Sequence, residues 1–211
     1  MKIITFTYDD YFDLTANCYL LISDSKECIV IDFGKEDEQV VNYIKENNLK
    51  LEAVLLTHGH FDHIKGVDYL LNNFSVPVYI HELDKEFLTD VRLNGSNRFS
   101  RRDVVVNAKP ILLKDGQVLK LIGSDIKVIH TPFHTRGSVC FYIEKENILF
   151  SGDTLFLSSI GRTDFPTAQP ELVPSSLAKL MSLKDDTKVY PGHGAETTIG
   201  FEKKQNPFVK R

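Results

Sequence analysis

Between Thr57 and Gly66 the chain reads THGHFDHIKG, which sets His58, His60, Asp62 and His63 within six consecutive residues. Imidazoles and a carboxylate at that density are first of all metal ligands. The apolar run 51–56 ahead of them reads as a buried strand. Behind them Ile64, Val67, Leu70, Leu71 and Phe74 fall at helical spacing and predict a helix over 62–74. The cluster is therefore a strand-to-helix turn. Residues two apart in extended backbone point the same way, so His58 and His60 can share one ion, while Asp62 and His63 at the helix entrance face a neighbouring position. Four ligands aimed two ways suggest two metals. Closed structural zinc sites favour cysteine, whereas catalytic sites use histidine and carboxylate and keep a position for water. Cys18, Cys28 and Cys140 sit singly in NCYLLI, ECIVID and SVCFYI, without any CxxC, and read as buried thiols.

Strands are expected at 3–8, 18–23, 28–33 and 76–80 besides 51–56, with an amphipathic helix at 36–47 carrying Val40, Val41 and Ile44. A helix is expected at 81–91 and a polar loop at 94–102 (NGSNRFSRR). A second series of strands follows at 111–113, 117–122, 127–130, 138–144 and 148–150, then a helix at 170–183 and a strand at 188–190. Strand groups followed by helices, once per half, imply an α/β protein in which two sheets pack face to face with helices outside. No linker or low-complexity stretch divides the halves, and residues 1–211 read as one domain.

With 42% hydrophobic residues and a net charge of −4, the chain can bury a good core and has no global pull toward nucleic acid or an anionic membrane. The N-terminus MKIITFTYDDYFD meets acidic residues before a signal-peptide apolar region could form, and no run approaches a membrane span. A cytoplasmic enzyme acting on a small molecule is the expectation.

The remaining histidines sort by position. His134 in HTPFHTRGS, Asp153 in LFSGDTLF and His193 in VYPGHG each stand just past an expected strand end, the edge where sites assemble from separate loops. A carboxylate such as Asp153 can bridge two cations. His130, at a strand end, reads as a hydrogen-bonded core histidine, and His81 in HELDKEF lacks the second histidine of an H-E-x-x-H motif and reads as structural. Arg98, Arg101 and Arg102 form a basic loop that reads as solvated, with an anionic substrate as the alternative. Lys203, Lys204, Lys210 and Arg211 read as a solvated tail.

The set THGHFDH, HTPFHT, SGDTLF, GRTDFP and YPGHG, in this order and covering nearly the whole chain, resembles the metallo-β-lactamase superfamily and, within it, the short glyoxalase II-like hydrolases. The resemblance implies a four-layer αβ/βα sandwich of two packed mixed sheets. It implies that His58, His60 and His134 bind one metal, that Asp62, His63 and His193 bind the other, and that Asp153 bridges them with a water. Two divalent ions, zinc first and iron or manganese otherwise, are the expected cofactors. Asp62 and Asp153 would be the catalytic carboxylates, and Asp32 in VIDFG would orient a ligand histidine. Where the family has glycine and proline around the third ligand, this chain has Phe133 and Arg136; where glutathione-binding members carry lysine and a nearby tyrosine, it has Arg162 and Asp164. Arg136 and Arg162 are therefore the candidate substrate contacts. The chain stops at Arg211 without the C-terminal helical thiol-binding domain of those members, so a weak dependence on the thiol carrier is expected.

The expected reaction is hydrolysis of an acyl thioester by a metal-bound hydroxide, since a thiol of pKa near ~8.5 leaves without a strong general acid. The main alternative is a mononuclear iron persulfide dioxygenase, whose branch shares H-x-H-x-D-H and GRTDF. Phosphodiester cleavage, flavodiiron electron transfer and a metal-free binding module rank below these.

Overall fold

The computed structural model describes residues 1–8 and 15–209. The acidic stretch read against a signal peptide extends into 9–14, and Lys210 and Arg211 end the chain; both lie outside the described residues. One sheet runs β1 (Lys2–Phe6), β2 (Cys18–Ile22), β3 (Glu27–Ile31), β4 (Lys50–Leu55), β5 (Val78–His81) and β6 (Ile111–Leu113), in that spatial order. Its first three strands are antiparallel and the pairs from β3 to β6 are parallel. The other sheet contains β7 (Val118–Leu121), β8 (Ser124–His130), β9 (Val139–Ile143), β10 (Ile148–Gly152), β11 (Lys188–Pro191) and β12 (Thr197–Thr198), again in sequential order. There only β10 and β11 pair in parallel.

Alternation along each strand builds the layers. Tyr19 and Leu21 of β2, Ile29 and Ile31 of β3, and Ala53 and Leu55 of β4 face the second sheet, meeting Ile126, Val128, Phe141, Ile143 and Phe150. The intervening residues Cys18, Leu20, Cys28, Val30 and Val54 face outward and pack under Val40, Val41 and Ile44 of α1 (Glu38–Glu46) and Val67 and Leu70 of α3 (Val67–Asn73). On the far side Ile129, Cys140, Tyr142, Leu149 and Val189 meet Leu177 and Leu180 of α5 (Val173–Met181) and Ile199 of α6 (Ile199–Gln205). Three apolar interfaces separating four layers are what period-2 strands buried on both faces must give. The three cysteines are buried and unpaired. No helix among the described residues is long and apolar enough to cross a membrane.

Local departures from the expected elements have identifiable causes. The helix over 62–74 is split into α2 (Phe61–Ile64) and α3 where Gly66 N–H leaves the helix to donate to the Phe33 carbonyl at 2.8 Å, an approach so close that a Cβ at Gly66 would sit 2.1 Å from the Lys35 carbonyl oxygen. The segment 82–88 winds as a 3₁₀ helix rather than an α-helix and buries Asp84, Phe87 and Leu88. The polar loop 94–102 contains one helical turn, α4 (Ser96–Phe99). The hairpin between β7 and β8 turns on Ile122 and Gly123, both at positive φ, so β8 begins at Ser124 and not at 127. The short β12 and α6 have no counterpart in the expected elements.

Candidate metal centre

Four strands end toward one place. β4 runs into Thr57–His60 and α2, β8 into the loop bearing His134, β10 into Asp153 and β11 into His193. The sheets are tied there: Val139 N–H donates to the Thr57 carbonyl at 2.9 Å, and Asn17 N–H, just before β2, to the Gly192 carbonyl, just after β11, at 2.7 Å.

The ligand-capable atoms form three overlapping groups, each within 4.8 Å: His58, His60 and His134; His58, His63 and Asp153; Asp62, His63 and His193. In the first, His60 Nδ1 lies 3.1 Å from His58 Nε2 and 2.9 Å from His134 Nε2. Ligands bound tetrahedrally at zinc distances would stand about 3.3 Å apart, so these nitrogens already have nearly the required spacing. In the last, His193 Nε2 is 3.2 Å and His63 Nε2 3.9 Å from Asp62 Oδ2. Asp153 lies between them, with Oδ1 3.3 Å from His63 Nε2 and Oδ2 3.4 Å from His134 Nε2 and 3.7 Å from His193 Nε2. The structure thus brings all seven sequence-predicted ligands together.

The outer nitrogens fix which atoms face inward. His63 Nδ1–H donates to Asp32 Oδ2 at 2.8 Å, His58 Nδ1 faces Thr57 Oγ1 at 3.2 Å, and Thr57 Oγ1 donates to the same Asp32 oxygen at 2.7 Å. His134 Nδ1–H donates to the Arg162 carbonyl at 2.8 Å. In each case Nε2 keeps its lone pair for an ion. Asp32 adopts a left-handed backbone, φ 54°, which aspartate tolerates, and its Oδ1 accepts Thr57 N–H at 2.8 Å.

A cation fits this donor set. His63 Nε2 and Asp153 Oδ1 are buried without a hydrogen-bond partner, an arrangement that is costly unless something else satisfies them. Burial, reinforced by neighbouring imidazoles, holds His58 and His60 well below the usual histidine range, so both are neutral donors. Burial alone would raise the Asp153 carboxyl, but His193 and His63 outweigh it and keep it well below the usual range. Burial is likewise outweighed at Asp62, where His63 and His193 bring the carboxyl to about 2. At His63, burial is outweighed by Asp32, Asp153 and Asp62, which favour positive charge there, the charge that a cation on Nε2 would supply in place of a proton. Neutral imidazoles beside ionised carboxylates are the protonation states that divalent metals require. Glycine is needed beside the ligands: a Cβ at Gly192 would lie 2.2 Å from Asp153 Oδ1, and one at Gly161 2.0 Å from the Asp153 carbonyl oxygen.

A cavity of about 760 Å³ opens onto His60, Asp62, His134, Asp153 and His193. Arg162 lines it, stacked on Phe165 at 4.2 Å and bound by both Nε and Nη2 to Asp164 at 2.7 Å. Arg136 does not. Its guanidinium is turned the other way, donating to the Leu83 carbonyl and to Glu86, each at 2.7 Å. Arg98, read from sequence as solvated, does line the cavity, whereas Arg102 pairs with Glu36. His81 and His130 stack on each other at 4.1 Å outside the ligand groups. Lys203 is bound to Asp185.

Sequence reasoning missed Asp84. Its buried carboxylate accepts from Gly59 N–H at 3.0 Å, Thr135 Oγ1 at 2.7 Å and Gly137 N–H at 2.8 Å, clasping the His58–His60 turn to the His134 loop. Nothing in the spacing of HELDKEF distinguishes it from a surface acid.

The model of the metallo-beta-lactamase superfamily matches residues 11–193. The chain belongs to that superfamily. Hydroxyacylglutathione hydrolase GloC of Haemophilus influenzae is 37% identical over 195 residues, covering 92% of each chain. Among solved structures, the BLEG-1 B3 metallo-beta-lactamase aligns with a TM-score of 0.93 at 38% identity, covering 100% of both chains. TTHA1623, solved in a di-iron-bound form, aligns at 0.85 with 35% identity, covering 99% of this chain and 100% of that one. The two packed mixed sheets are therefore the superfamily's αβ/βα sandwich, and the His/Asp centre of this metallo-beta-lactamase relative suits divalent metals in a metal-dependent hydrolase.

Proposed function

We propose that the chain is a dinuclear thioesterase of glyoxalase II type, acting on S-2-hydroxyacyl thiols with zinc as the working metal. The observation that carries this reading is Asp153, whose carboxylate reaches His134 of one ligand group and both His63 and His193 of the other. A carboxylate so placed can serve a pair of ions, and Asp62, His63 and His193 offer a donor group for the second of them. The GloC relative, by name a hydroxyacylglutathione hydrolase, points to the same thioester chemistry.

Two ions held there would supply an acidified water for attack and a Lewis acid for the carbonyl oxygen. The chain's own residues do the rest. Asp32 holds a proton on His63 Nδ1 and, through Thr57, orients His58. Asp62, held ionised and lining the cavity, accepts a hydrogen bond from the attacking water. Phe99, Phe156 and Phe165 shield the acyl group from bulk solvent. Water adds its oxygen to the acyl carbon, the C–S bond breaks, and the thiolate departs without needing a strong acid because its pKa is near ~8.5.

The test is metal analysis of protein purified without added metal, coupled to hydrolysis of lactoyl thioesters and to an oxygen electrode with a persulfide. Two zinc ions per chain, thioester turnover, and a fall of about 10²-fold or more in kcat for Asp62→Ala with little change in KM are expected. A single iron with oxygen uptake would overturn the reading, as would turnover confined to a β-lactam.

A further inference from the structure

The cavity is several times larger than a two- or three-carbon acyl group needs, and its volume lies in the range that encloses a drug-sized ligand. What lies beyond the metal centre is uneven in charge. Arg92, Arg98 and Arg162 line it, against one carboxylate outside the ligand groups, Asp164. Two of these arginines are already engaged. Arg162 is locked bidentately to Asp164, and Arg92 stands 3.5 Å from Asp90. Arg98 is exposed, and among the described residues it has no carboxylate partner; its guanidinium lies over the Phe99 ring at 5.3 Å. An anion can bind Arg98 without first breaking an existing ion pair, which is not true of Arg162.

The segment carrying Arg98 is held rigidly. Asn94 is fully buried, its Nδ2 donating to the Phe87 and Val104 carbonyls at 2.9 Å and its Oδ1 accepting Ser96 N–H at 2.9 Å. Ser96 Oγ accepts Val104 N–H at 2.9 Å, and the Asn94 carbonyl accepts Phe61 N–H at 3.0 Å, joining this segment to the helix that bears Asp62 and His63. Gly95 turns the backbone at φ 79°, a conformation that suits glycine. Phe99 then meets Phe165 from the opposite loop at 5.5 Å. A guanidinium carried on a fixed backbone beside an aromatic wall is a frame for a carboxylate on an otherwise apolar chain.

We propose that Arg98 is the specificity-determining residue of an anion subsite, so that the substrates are thioesters bearing a carboxylate away from the scissile bond. This rests on the thioesterase reading for the substrate's reactive group, though not for the subsite. The carboxylate can belong to the thiol carrier or to the acyl group.

Non-hydrolysable thioethers separate these cases. Metal-loaded protein is titrated calorimetrically with hydroxypropylthio-propanoate and its carboxamide, which place the charge on the thiol side. Ethylthio-butanoate and its carboxamide place it on the acyl side. In at least one pair the carboxylate should bind about tenfold tighter than the carboxamide, and Arg98→Ala should bring that ratio to about one. Arg98→Lys should retain part of it, and Arg101→Ala, outside the cavity, should retain all of it. The pair that shows the preference identifies which side carries the charge. No preference in either pair, or a preference that survives Arg98→Ala because the carboxylate sits on the metals, would overturn the subsite. If the preference follows Arg98 yet no thioester is hydrolysed, the subsite stands and the thioesterase reading falls.

Discussion

Replacing Asp84 by asparagine should loosen the metal centre without touching a ligand. Asp84 Oδ2 accepts two donors, Gly59 N–H and Thr135 Oγ1, and Oδ1 accepts Gly137 N–H. Burial pushes this carboxyl up to about 6, opposed by those donors and by Arg136, so at pH 8 it is ionised and acceptor-only. In Asp84→Asn the amide oxygen can keep the two-donor position, which turns the NH₂ group against Gly137 N–H. The joint cannot relax: a Cβ at Gly137 would already lie 2.5 Å from Asp84 Oδ1. One charge-assisted hydrogen bond is lost, roughly 1.5–3 kcal/mol, and two buried donors face each other, roughly 1–3 kcal/mol, for a total near ~3 kcal/mol. For a chain of this length that is a fall in Tm of about 6–12 °C. Thermal unfolding of metal-stripped protein at pH 8 measures it free of metal linkage. Metal analysis of the loaded variant should show reduced occupancy, because Gly59 separates His58 from His60 and Thr135 follows His134. A double cycle with Thr135→Val should be non-additive. A Tm within about 2 °C of wild type, with full metal content, would refute the clasp.

Gly192→Ala should preserve the far-UV circular dichroism spectrum yet lower the metal stoichiometry, since the new methyl would meet Asp153 Oδ1 at 2.2 Å and His63 Cε1 at 2.8 Å. Its backbone cannot yield easily, being fixed by the Asn17 N–H donation to the Gly192 carbonyl at 2.7 Å. His81 gives a pH dependence: burial, then the stacked His130, depress it from 6.5 to about 4, with Asp115 opposing. The unfolded chain therefore binds that proton first, and stability present above pH ~6.5 should be lost as pH falls toward 4, by on the order of 2 kcal/mol. Melts of metal-stripped protein from pH 7 to 4.5 should show a smaller loss for His81→Phe than for wild type, and equal slopes would exclude His81 as the source.

What the sequence disclosed and what it withheld divide by range. The strand-to-helix turn was legible because His58, His60, Asp62 and His63 are neighbours whose direction follows from local backbone geometry. Strand ends at His134, Asp153 and His193 followed from periodicity, and the convergence of strand ends on one edge is a property of layered folds. The break at Gly66 was not legible, because it depends on a hydrogen bond to the Phe33 carbonyl, distant in sequence. The role of Asp84 depends on partners 25 to 53 residues distant. The arginines show the same limit most plainly. Arg136, standing where the family has proline beside the third ligand, read as a substrate contact, yet its side chain is claimed by Glu86 and Leu83. Arg98 looked like one charge of a polar loop, and only the Asn94 anchor places it on the cavity wall.

The centre is built so that two carboxylates couple the two sheets. Asp32, just after β3, sits behind the ligands, holding His63 directly and His58 through Thr57, so that one buried anion orients a donor in each ligand group. Asp153, just after β10 in the other sheet, sits between the groups. The His58, His60 and His134 side meets one ionised carboxylate, Asp153, whereas the Asp62, His63 and His193 side has Asp62 besides. An ion on the side richer in imidazole would keep more of its positive charge and would be the stronger Lewis acid. An ion on the other side would be more fully neutralised, beside Asp62, which lines the cavity together with Asp153. In the dinuclear reading, polarising the substrate carbonyl and presenting the water would fall to different ions because the two groups differ in charge.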